Sequence, residues 1–527
     1  MTHHPLTPSF SRRGNVRNTP SFSRRGKGVV FNFERTTRWI VIALGVAFIA
    51  LVLALSILRL MYPYEIEWME GAMVDHAIRV IAGQPIYTAP SLDFVAWLYP
   101  PLYYYAVAAV MKLTGIGFFA GRIVSFLSTL LTALALGWMV RRVTANRLFA
   151  FLTLALYVAT YHATGFYFDI VRNDAFFTFL IVAAAIPAFF SNRAAPYLSG
   201  LILALAFFTK QQAIFFLPPL AIFFWFRNRK SGIAFAVTAV VLGVLSVLLL
   251  NIATHGWSNY YMFAIPHAKG VDFSAIRMLD VFPDYALGPF ATSFIALLSL
   301  PLLKKEGASI AHDAGGWLGF LASGTGLLAM MSLAALVAGA FSLGNEGGYR
   351  NVMMPFVAFV LPLLPIALAE IKIVRPEFSR YVYLAFLFQF VALYFNPLSE
   401  KMLIASAHQR RGAEEFIRKL EVMPGDVFIP YHGYISRQAG KATHAQILAA
   451  LDVLHMHDTA AARLQANFDS AYSQHRFSAI IMEESDAFHT DSIAHYTFSG
   501  RMLAEPNVNL TRVADQATRP EFVFVPK

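Results

Sequence analysis

The sequence predicts an α-helical polytopic membrane protein that ends in a small α/β domain. Of its 527 residues, 57% are hydrophobic and 14% are charged, whereas soluble domains carry about 25% charged residues. Apolar runs of about 20 residues, the length that spans a bilayer, recur over residues 38–396. These observations exclude a soluble multidomain protein. They also assign the net charge of +11 to orientation in the membrane rather than to nucleic-acid binding.

Residues 1–37 are predicted to form a basic, disordered cytoplasmic tail. Up to Arg38 the chain carries eight Lys or Arg residues against one acid, Glu34, and basic segments are retained on the cytoplasmic side. The apolar stretch that follows, residues 38–60, is too long for the core of a signal peptide. We therefore predict it as the first membrane helix.

Basic residues on alternate loops predict the path of the membrane domain, residues 38–396. From residue 174 onward, the loops predicted to be cytoplasmic carry Arg193, Arg227, Arg229, Lys230, Lys304, Lys305, Lys372 and Arg375. Between residues 61 and 173 the number of crossings must be even for this alternation to hold, but three candidate segments lie there. We therefore predict that the short, Tyr-rich segment 98–114 lies at the membrane interface without crossing. This gives about 11 crossings, with residues 397–527 outside.

The predicted outer loop, residues 61–97, is unusually acidic. Its charged residues are Glu65, Glu67, Glu70, Asp75, Asp93 and a single base, Arg79. Glu67 and Glu70 are one helical turn apart and so can share a face. A carboxylate pressed against a bilayer can have a raised pKa and act as a general base. A pair of carboxylates can instead hold a divalent metal with a phosphate, so both roles stay open.

Three short motifs in and after this loop resemble a known superfamily. They are Glu67-Trp-Met-Glu-Gly71, Gly83-Gln-Pro-Ile-Tyr87 and Tyr99-Pro-Pro-Leu-Tyr103. They resemble the opening of polytopic GT-C glycosyltransferases, in the bacterial branch related to protein O-mannosyltransferases and the lipid A aminoarabinose transferase. The resemblance implies that the loop supplies a catalytic base or a metal ligand, and we favour Glu67 over Glu70. That transferase carries an acid and a Lys where this chain has Leu98 and Tyr99, which counts against a metal or phosphate role there. Tyr99 is predicted to contact substrate.

Charged residues at two predicted outer helix ends also resemble the superfamily. Arg172 and Asp174 begin one apolar helix, and Lys210 interrupts two apolar segments. The resemblance implies that Arg172 and Asp174 face the active site, with Asp174 a catalytic residue. It also implies that Lys210 and Arg172 meet the phosphate of a lipid-linked donor. The alternatives are an interfacial ion pair of Arg172 with Asp169 or Asp174, and a Lys210 that extends to the membrane surface.

Two further outer loops contribute candidates. Tyr349 and Arg350 follow a Gly-rich loop, which by itself predicts only a tight turn. By resemblance, Arg350 would stabilise the leaving phosphate oxygens, and Tyr349 would contact substrate. His267, in the loop over residues 251–285, is predicted to contact substrate; a metal ligand is the alternative, although a lone His is more often structural.

Residues 397–527 are predicted as a soluble α/β domain outside the membrane. They contain 15 of the 31 acids and 13 of the 42 bases, a soluble composition. Strand-like runs and helical stretches lie at residues 426–431, 478–482, 410–422 and 444–456. The stretch from His432 to His444 resembles its counterpart in related bacterial transferases, which assigns it no catalytic role. Eight of the 15 His residues lie in this domain at irregular spacing, so no metal cluster is predicted.

The resemblance implies an enzyme on the outer face of a bacterial cytoplasmic membrane. It would move a hexose or pentose from a polyprenyl-phosphate sugar to a hydroxyl of a glycan, lipid or protein acceptor, with inversion. No cofactor is predicted with certainty, and a divalent metal at Glu67 and Glu70 stays an alternative. The sequence contains no nucleotide-binding fingerprint, which is consistent with a lipid-linked donor. The competing functions are a transporter or lipid flippase for envelope glycan precursors, and a noncatalytic membrane subunit.

Overall fold

The computed structural model describes residues 23–271, 290–305, 317–345, 348–394, 405–483, 494–503, 510 and 518–527. Up to residue 394 the described chain is almost entirely helical. Its helices are α1 (Ser23–Leu60), α2 (Glu70–Ile81), α3 (Leu102–Thr114), α4 (Phe118–Thr144), α5 (Arg147–Ala159), α6 (Asn173–Ala185), α7 (Ala195–Phe207), α8 (Leu217–Arg227), α9 (Arg229–Ala253), α10 (Trp257–Asn259), α11 (Ile265–Lys269), α12 (Ala291–Lys305), α13 (Trp317–Leu321), α14 (Gly324–Leu343), α15 (Met354–Val360), α16 (Leu363–Val374) and α17 (Val382–Tyr394).

The helices of the predicted membrane domain confirm a multi-pass membrane protein. By length and composition, the helices able to cross a membrane are Phe33–Leu60, Phe118–Thr144, Arg229–Ala253, Gly324–Leu343 and Arg350–Val374. Shorter apolar helices lie at Arg147–Ala159, Asn173–Phe189, Ala195–Phe207 and Ala291–Leu300. The count of about 11 crossings stays a prediction.

The first helix begins earlier than the sequence predicts. α1 starts at Ser23, whereas the predicted tail extends to residue 37, so its last part is helical rather than disordered. The prediction placed the boundary where charge gives way to apolar residues. That change marks the membrane surface, but helical hydrogen bonds can continue beyond it into basic sequence. The rest of the predicted tail, residues 1–22, lies outside the described residues.

Contacts of charged residues define two ends of the helical bundle. At one end, Lys372 Nζ lies 3.8 Å from Glu34 Oε1 and 5.9 Å from the ring centroid of Phe149. At the other end, Arg59 Nη1 lies 3.3 Å from Asp169 Oδ1. The first end gathers segments predicted to be cytoplasmic, and the second gathers segments predicted to be outside. The structure therefore agrees with the predicted alternation, and which end is cytoplasmic stays a prediction.

Helix α3 has both of its ends on the second side. Just before it, the Tyr99 hydroxyl lies 3.4 Å from Arg172 Nη2. Just after it, the ring of Phe118 lies 5.0 Å from that of Tyr434 in the C-terminal domain. A helix of 13 residues is about 20 Å long, which is less than the ~30 Å of a bilayer core. Segment 98–114 therefore returns to the side on which it began, as the charge alternation requires.

The described residues after 404 combine helices with a small sheet, which agrees with the predicted α/β content, and their forming a separate domain stays a prediction. The elements are α18 (Ala407–Val422), β1 (Asp426–Phe428), α19 (Gly433–Gln438), α20 (Ile447–Leu454), α21 (Thr459–Ser473), β2 (Phe477–Met482), β3 (Tyr496–Arg501) and β4 (Phe522–Pro526). The strand order is β1-β2-β4-β3, with β1 parallel to β2 and β4 antiparallel to both of its neighbours. The predicted boundary at residue 397 lies outside the described residues.

The outer loop and the C-terminal domain share one hydrophobic core. Met73 and Tyr87 of the loop are buried in the same cluster as Phe428, Ile447 and Phe468. Burying apolar surface between the two is the main force that holds them together. The loop and the domain therefore lie on the same side of the membrane.

Candidate active site

Three buried carboxylates of the outer loop are each paired with a different cation. Glu65, Glu67 and Glu70 are at most 2% exposed. Their partners come from three distant segments: His432 for Glu65, Arg172 for Glu67 and Arg122 for Glu70. Because like charges crowded in a buried turn repel each other, each acid requires its own partner to stay ionised. The sequence predicted the acids but not this pairing.

Glu70 is held by donors on both of its oxygens. Arg122 donates from Nε to Oε1 at 2.9 Å and from Nη2 to Oε2 at 2.6 Å. The backbone N–H groups of Val171 and Ile66 each add a hydrogen bond of 2.8 Å. Burial alone would raise the pKa of Glu70, but Arg122 and these hydrogen bonds hold it below its ordinary value. A carboxylate so fully bonded is a structural group and a poor base.

Glu67 has fewer partners and the opposite pKa shift. Its Oε1 accepts one hydrogen bond of 3.2 Å from Arg172 Nη1, and its Oε2 accepts one of 3.1 Å from the N–H of Met69. Burial raises the pKa of Glu67 to about 7, against the lowering effect of Arg172, and nearby Glu70 raises it further. A carboxyl group with a pKa near neutrality can accept a proton during a reaction and release it afterwards. The arrangement therefore favours Glu67 over Glu70 as the base.

Arg172 connects Glu67 to two aromatic side chains that the sequence singled out. Its Nη2 lies 3.4 Å from the hydroxyl of Tyr99, and its guanidinium lies 5.6 Å from the ring centroid of Tyr167. The ring of Tyr167 in turn lies 5.7 Å from that of Tyr349. Tyr99 and Tyr349 therefore both border the site. The buried Arg172 Nε forms no hydrogen bond within the described part of the chain and faces Asp174 Oδ2.

Close packing brings Tyr349 to this position. A Cβ on Gly165 would lie 2.6 Å from the Tyr349 ring, and the φ of +72° at this residue favours glycine. The position of Tyr349 therefore requires glycine at a place other than the Gly-rich loop before it. That place is Gly165, which is far away in the sequence and packs against the Tyr349 ring.

Asp174 and Lys210 form a buried ion pair beside Arg172. Lys210 Nζ donates to Asp174 Oδ1 at 2.6 Å, and Arg172 Nε lies 3.9 Å from Asp174 Oδ2. The side chain of Asn351 lies beside the same carboxylate. Its neighbour Arg350 is half-buried and, over the described ranges, forms no ion pair. The described contacts thus bring Asn351 to the ion pair, and a role for Arg350 stays a prediction.

One substrate candidate is not brought to the site. His267 is exposed at the end of α11, and none of the site's hydrogen bonds among described residues involves it. The alternative pairing of Arg172 with Asp169 is also absent, because Asp169 pairs with Arg59 and accepts a hydrogen bond of 2.8 Å from Tyr161. Arg172 therefore turns toward Glu67 and Asp174.

The carboxylates of the loop do not fit a shared metal ion. Both oxygens of Glu70 already accept hydrogen bonds from Arg122, and a metal would have to displace that cation. Within the described ranges, no group of three or more His, Asp or Glu residues is placed to hold a metal.

Arg122 and His432 are partners of the loop that were not predicted from the sequence. Arg122 lies in the first turns of the apolar helix α4, and a charge within such a run is costly and usually marks a partner. That signal was available in the sequence. No comparable feature of the sequence marked His432, because the outer loop and the C-terminal domain are far apart in the chain and meet only in the folded protein.

Comparisons with known proteins agree with the resemblance found in the sequence. Residues 99–257 match the family model described as dolichyl-phosphate-mannose-protein mannosyltransferase. Among curated proteins, none matches the chain. The fold is similar to that of ArnT from Cupriavidus metallidurans bound to undecaprenyl phosphate, with a TM-score of 0.59 and 13% identity over 91% of this chain and 97% of that one. The apo state of the same protein gives 0.57 and 13% identity, over 93% and 98%. The predicted resemblance to the GT-C superfamily of membrane glycosyltransferases is therefore confirmed, by the fold of nearly the whole chain and by the family match of residues 99–257.

Proposed function

We propose that the protein transfers a sugar from a polyprenyl-phosphate sugar to a hydroxyl group of a cell-envelope acceptor. The reaction would take place at the outer face of a bacterial cytoplasmic membrane. The observation that carries this proposal is the convergence of Glu67, Arg172, Asp174 and Lys210 at one end of the bundle. They bring together a poised carboxylate and two cations, which are the groups that such a transfer requires.

An apolar groove whose lining residues lie on both sides of Lys210 in the sequence supports a lipid-linked donor. The groove encloses about 360 Å³ between α7, α9 and the segment after Lys210. Its walls include Leu203, Phe207, Ala213, Val240, Val244 and Phe263. Phe207 and Ala213 flank Lys210 in the sequence, so a phosphate bound at Lys210 would leave its prenyl tail to run along this groove. Burying the tail would contribute about 0.8 kcal/mol per CH₂.

The proposed mechanism is a single displacement. The Glu67 carboxylate takes the proton of the acceptor hydroxyl as its oxygen attacks the anomeric carbon. The bond between that carbon and the phosphate oxygen breaks, and polyprenyl phosphate leaves with the electron pair. Lys210, Arg172 and Arg350 offset the charge on the leaving phosphate, while Asp174 holds Lys210 in place. One displacement inverts the anomeric centre.

The positions of the charges favour an enzyme over a transporter or flippase. A transporter binds its substrate near the middle of the membrane, between halves that move. Here Arg172 precedes the first turn of α6, and Lys210 follows the end of α7. Arg172 contacts Glu67 of the outer loop, which shares a core with the C-terminal domain, and Lys210 is joined to Arg172 through Asp174. A site at this depth suits chemistry between a lipid-linked donor and an acceptor outside.

The direct test is transfer by the purified full-length protein. We would supply labelled polyprenyl-phosphate hexoses and pentoses with candidate acceptor hydroxyls, and compare wild type with Glu67→Gln. Loss of a general base costs about 10²- to 10⁴-fold in rate. Glu414→Gln is the matched control, because Glu414 contacts Arg410 on the surface of α18. The anomeric configuration of the product would test inversion.

The outcomes separate the parts of the proposal. A wild-type protein that neither binds nor turns over any of these donors would overturn the function. Transfer at wild-type rate by Glu67→Gln would overturn only the assignment of the base. A retained anomeric configuration would replace the single displacement with a two-step reaction.

A further inference from the structure

The segment from His432 to His444 has no role in the chemistry above, yet it contacts the catalytic loop at several points. His432 is fully buried. Its Nδ1 lies 2.5 Å from Glu65 Oε2 in the outer loop, and its Nε2 lies 2.9 Å from Glu483 Oε1 in its own domain. A second histidine repeats the arrangement, since His444 lies 3.2 Å from Asp93 and 3.0 Å from Asp426. Each histidine thus joins one acid of the loop to one acid of the C-terminal domain.

We propose that His432 is a positioning residue, through which the C-terminal domain holds the turn from Glu65 to Glu70 and so sets the place of Glu67. This inference rests on the proposed function, because it takes Glu67 as the base. Glu65 is two residues before Glu67, and Glu70 closes the same turn by accepting hydrogen bonds from the N–H groups of Ile66 and Glu67. A shift of Glu65 therefore moves the whole turn.

The helix that begins after His432 lies directly on this turn and on α2. A Cβ on Gly71 would lie 2.0 Å from Glu65 Oε1 and 2.7 Å from Tyr434 Cβ, so Gly71 lets the two elements meet. Gln438 Nε2 donates to the carbonyl of Pro63 at 2.9 Å. While α19 is in this position, the close packing leaves no space for the turn from Glu65 to Glu70 to shift.

Charge makes the contact of His432 specific. Glu65 is buried beside two other carboxylates, and its other oxygen, Oε1, has no hydrogen-bond partner among the described residues. Without His432, Glu65 would be a buried and unpaired anion, which is strongly unfavourable. It would either take up a proton or move toward water, and both changes pull on the turn. The cation of the C-terminal domain therefore acts on Glu67 through Glu65.

His444 provides the matched control for this reasoning. It has the same chemistry and lies in the same interface, but its partner Asp93 is 60% exposed and far along the loop from Glu67. Removing His444 should weaken docking without moving the turn. Removing His432 should weaken docking and should also move the turn from Glu65 to Glu70.

The experiment compares His432→Ala, His432→Gln and His444→Ala in the full-length protein. We expect His432→Ala to lower kcat by about 100-fold, the cost of displacing a catalytic group by about 1 Å, with little change in the donor KM. His432→Gln keeps a polar bridge and should recover part of the loss. His444→Ala should stay within about threefold of wild type in kcat. Adding Glu65→Gln to His432→Ala should cost nothing more, because the two residues act as one unit.

Hydrogen exchange gives a readout that needs no turnover. We expect the backbone amides of residues 65–71 to exchange faster in His432→Ala than in wild type, and to be unchanged in His444→Ala. That result would support the positioning role even if no donor were ever turned over. Equal kcat losses in the two alanine variants, or unchanged exchange in His432→Ala, would overturn it.

Discussion

The pH dependence of transfer is the sharpest test of the role of Glu67. Burial raises the pKa of Glu67 to about 7, while Arg172 limits the rise. The base must be ionised before it can accept a proton. Its active fraction is then about one tenth at pH ~6, one half at pH ~7 and nine tenths at pH ~8, which predicts about a tenfold rise in kcat/KM between pH ~6 and pH ~8.

The assay is transfer from a labelled polyprenyl-phosphate sugar over this pH range, at donor concentrations below KM. Glu67→Gln should lose the acid limb together with most of the activity, and the surface variant Glu414→Gln should keep both. Arg172→Met removes the cation that lowers the pKa of Glu67, so any residual activity should show its acid limb at higher pH. A wild-type kcat/KM that is flat over this range, or an unchanged limb in Glu67→Gln, would refute the reasoning.

Three further predictions concern the cations of the site. Arg122→Gln leaves Glu70 buried and unpaired, so unfolding in detergent should be easier by about 3–5 kcal/mol, and adding Glu70→Gln should recover part of that loss. Lys210→Met should weaken donor binding by roughly 10- to 100-fold, the loss of one charge-assisted hydrogen bond. Lys210→Arg should bind better than Lys210→Met in the same titration. The carboxylates of Glu65 and Glu483 overcome burial and raise the pKa of His432 from 6.5 to about 10. Its stabilising effect is therefore complete below pH ~6.5 and is lost as the pH rises through about 10, which thermal unfolding should show in wild type but not in His432→Gln.

The elements that the sequence predicted well are those decided by local composition. Apolar runs identified the helices that are long and apolar enough to cross a membrane, and the alternation of basic loops predicted that segment 98–114 does not cross. Lys210 and Arg172 were recognised because basic residues on the predicted outer side contradict the usual charge bias. The structure brings both of them to Asp174.

The pairings within the site could not be read from the sequence. Glu67 and Glu70 look equivalent in one dimension, and their difference arises from Arg122, which is 52 residues from Glu70. Helix packing decides which acid meets which base. For the same reason, Asp169 meets Arg59 rather than its near neighbour Arg172. His267, predicted from its loop alone, is exposed, because nothing in a loop's composition determines where it folds.

The core shared by the outer loop and the C-terminal domain has a consequence for biosynthesis. Glu65 and His432 are 367 residues apart, so a ribosome must complete most of the chain after the loop has emerged. Proteins fold from the N-terminus as they are made, but this loop must wait for the final domain to reach the same side of the membrane. A nascent or truncated chain thus leaves Met73 and Tyr87 without Phe428, Ile447 and Phe468, which share their core in the finished protein. The contact that holds Glu65 can therefore form only after the chain has been made past His432, long after the loop itself.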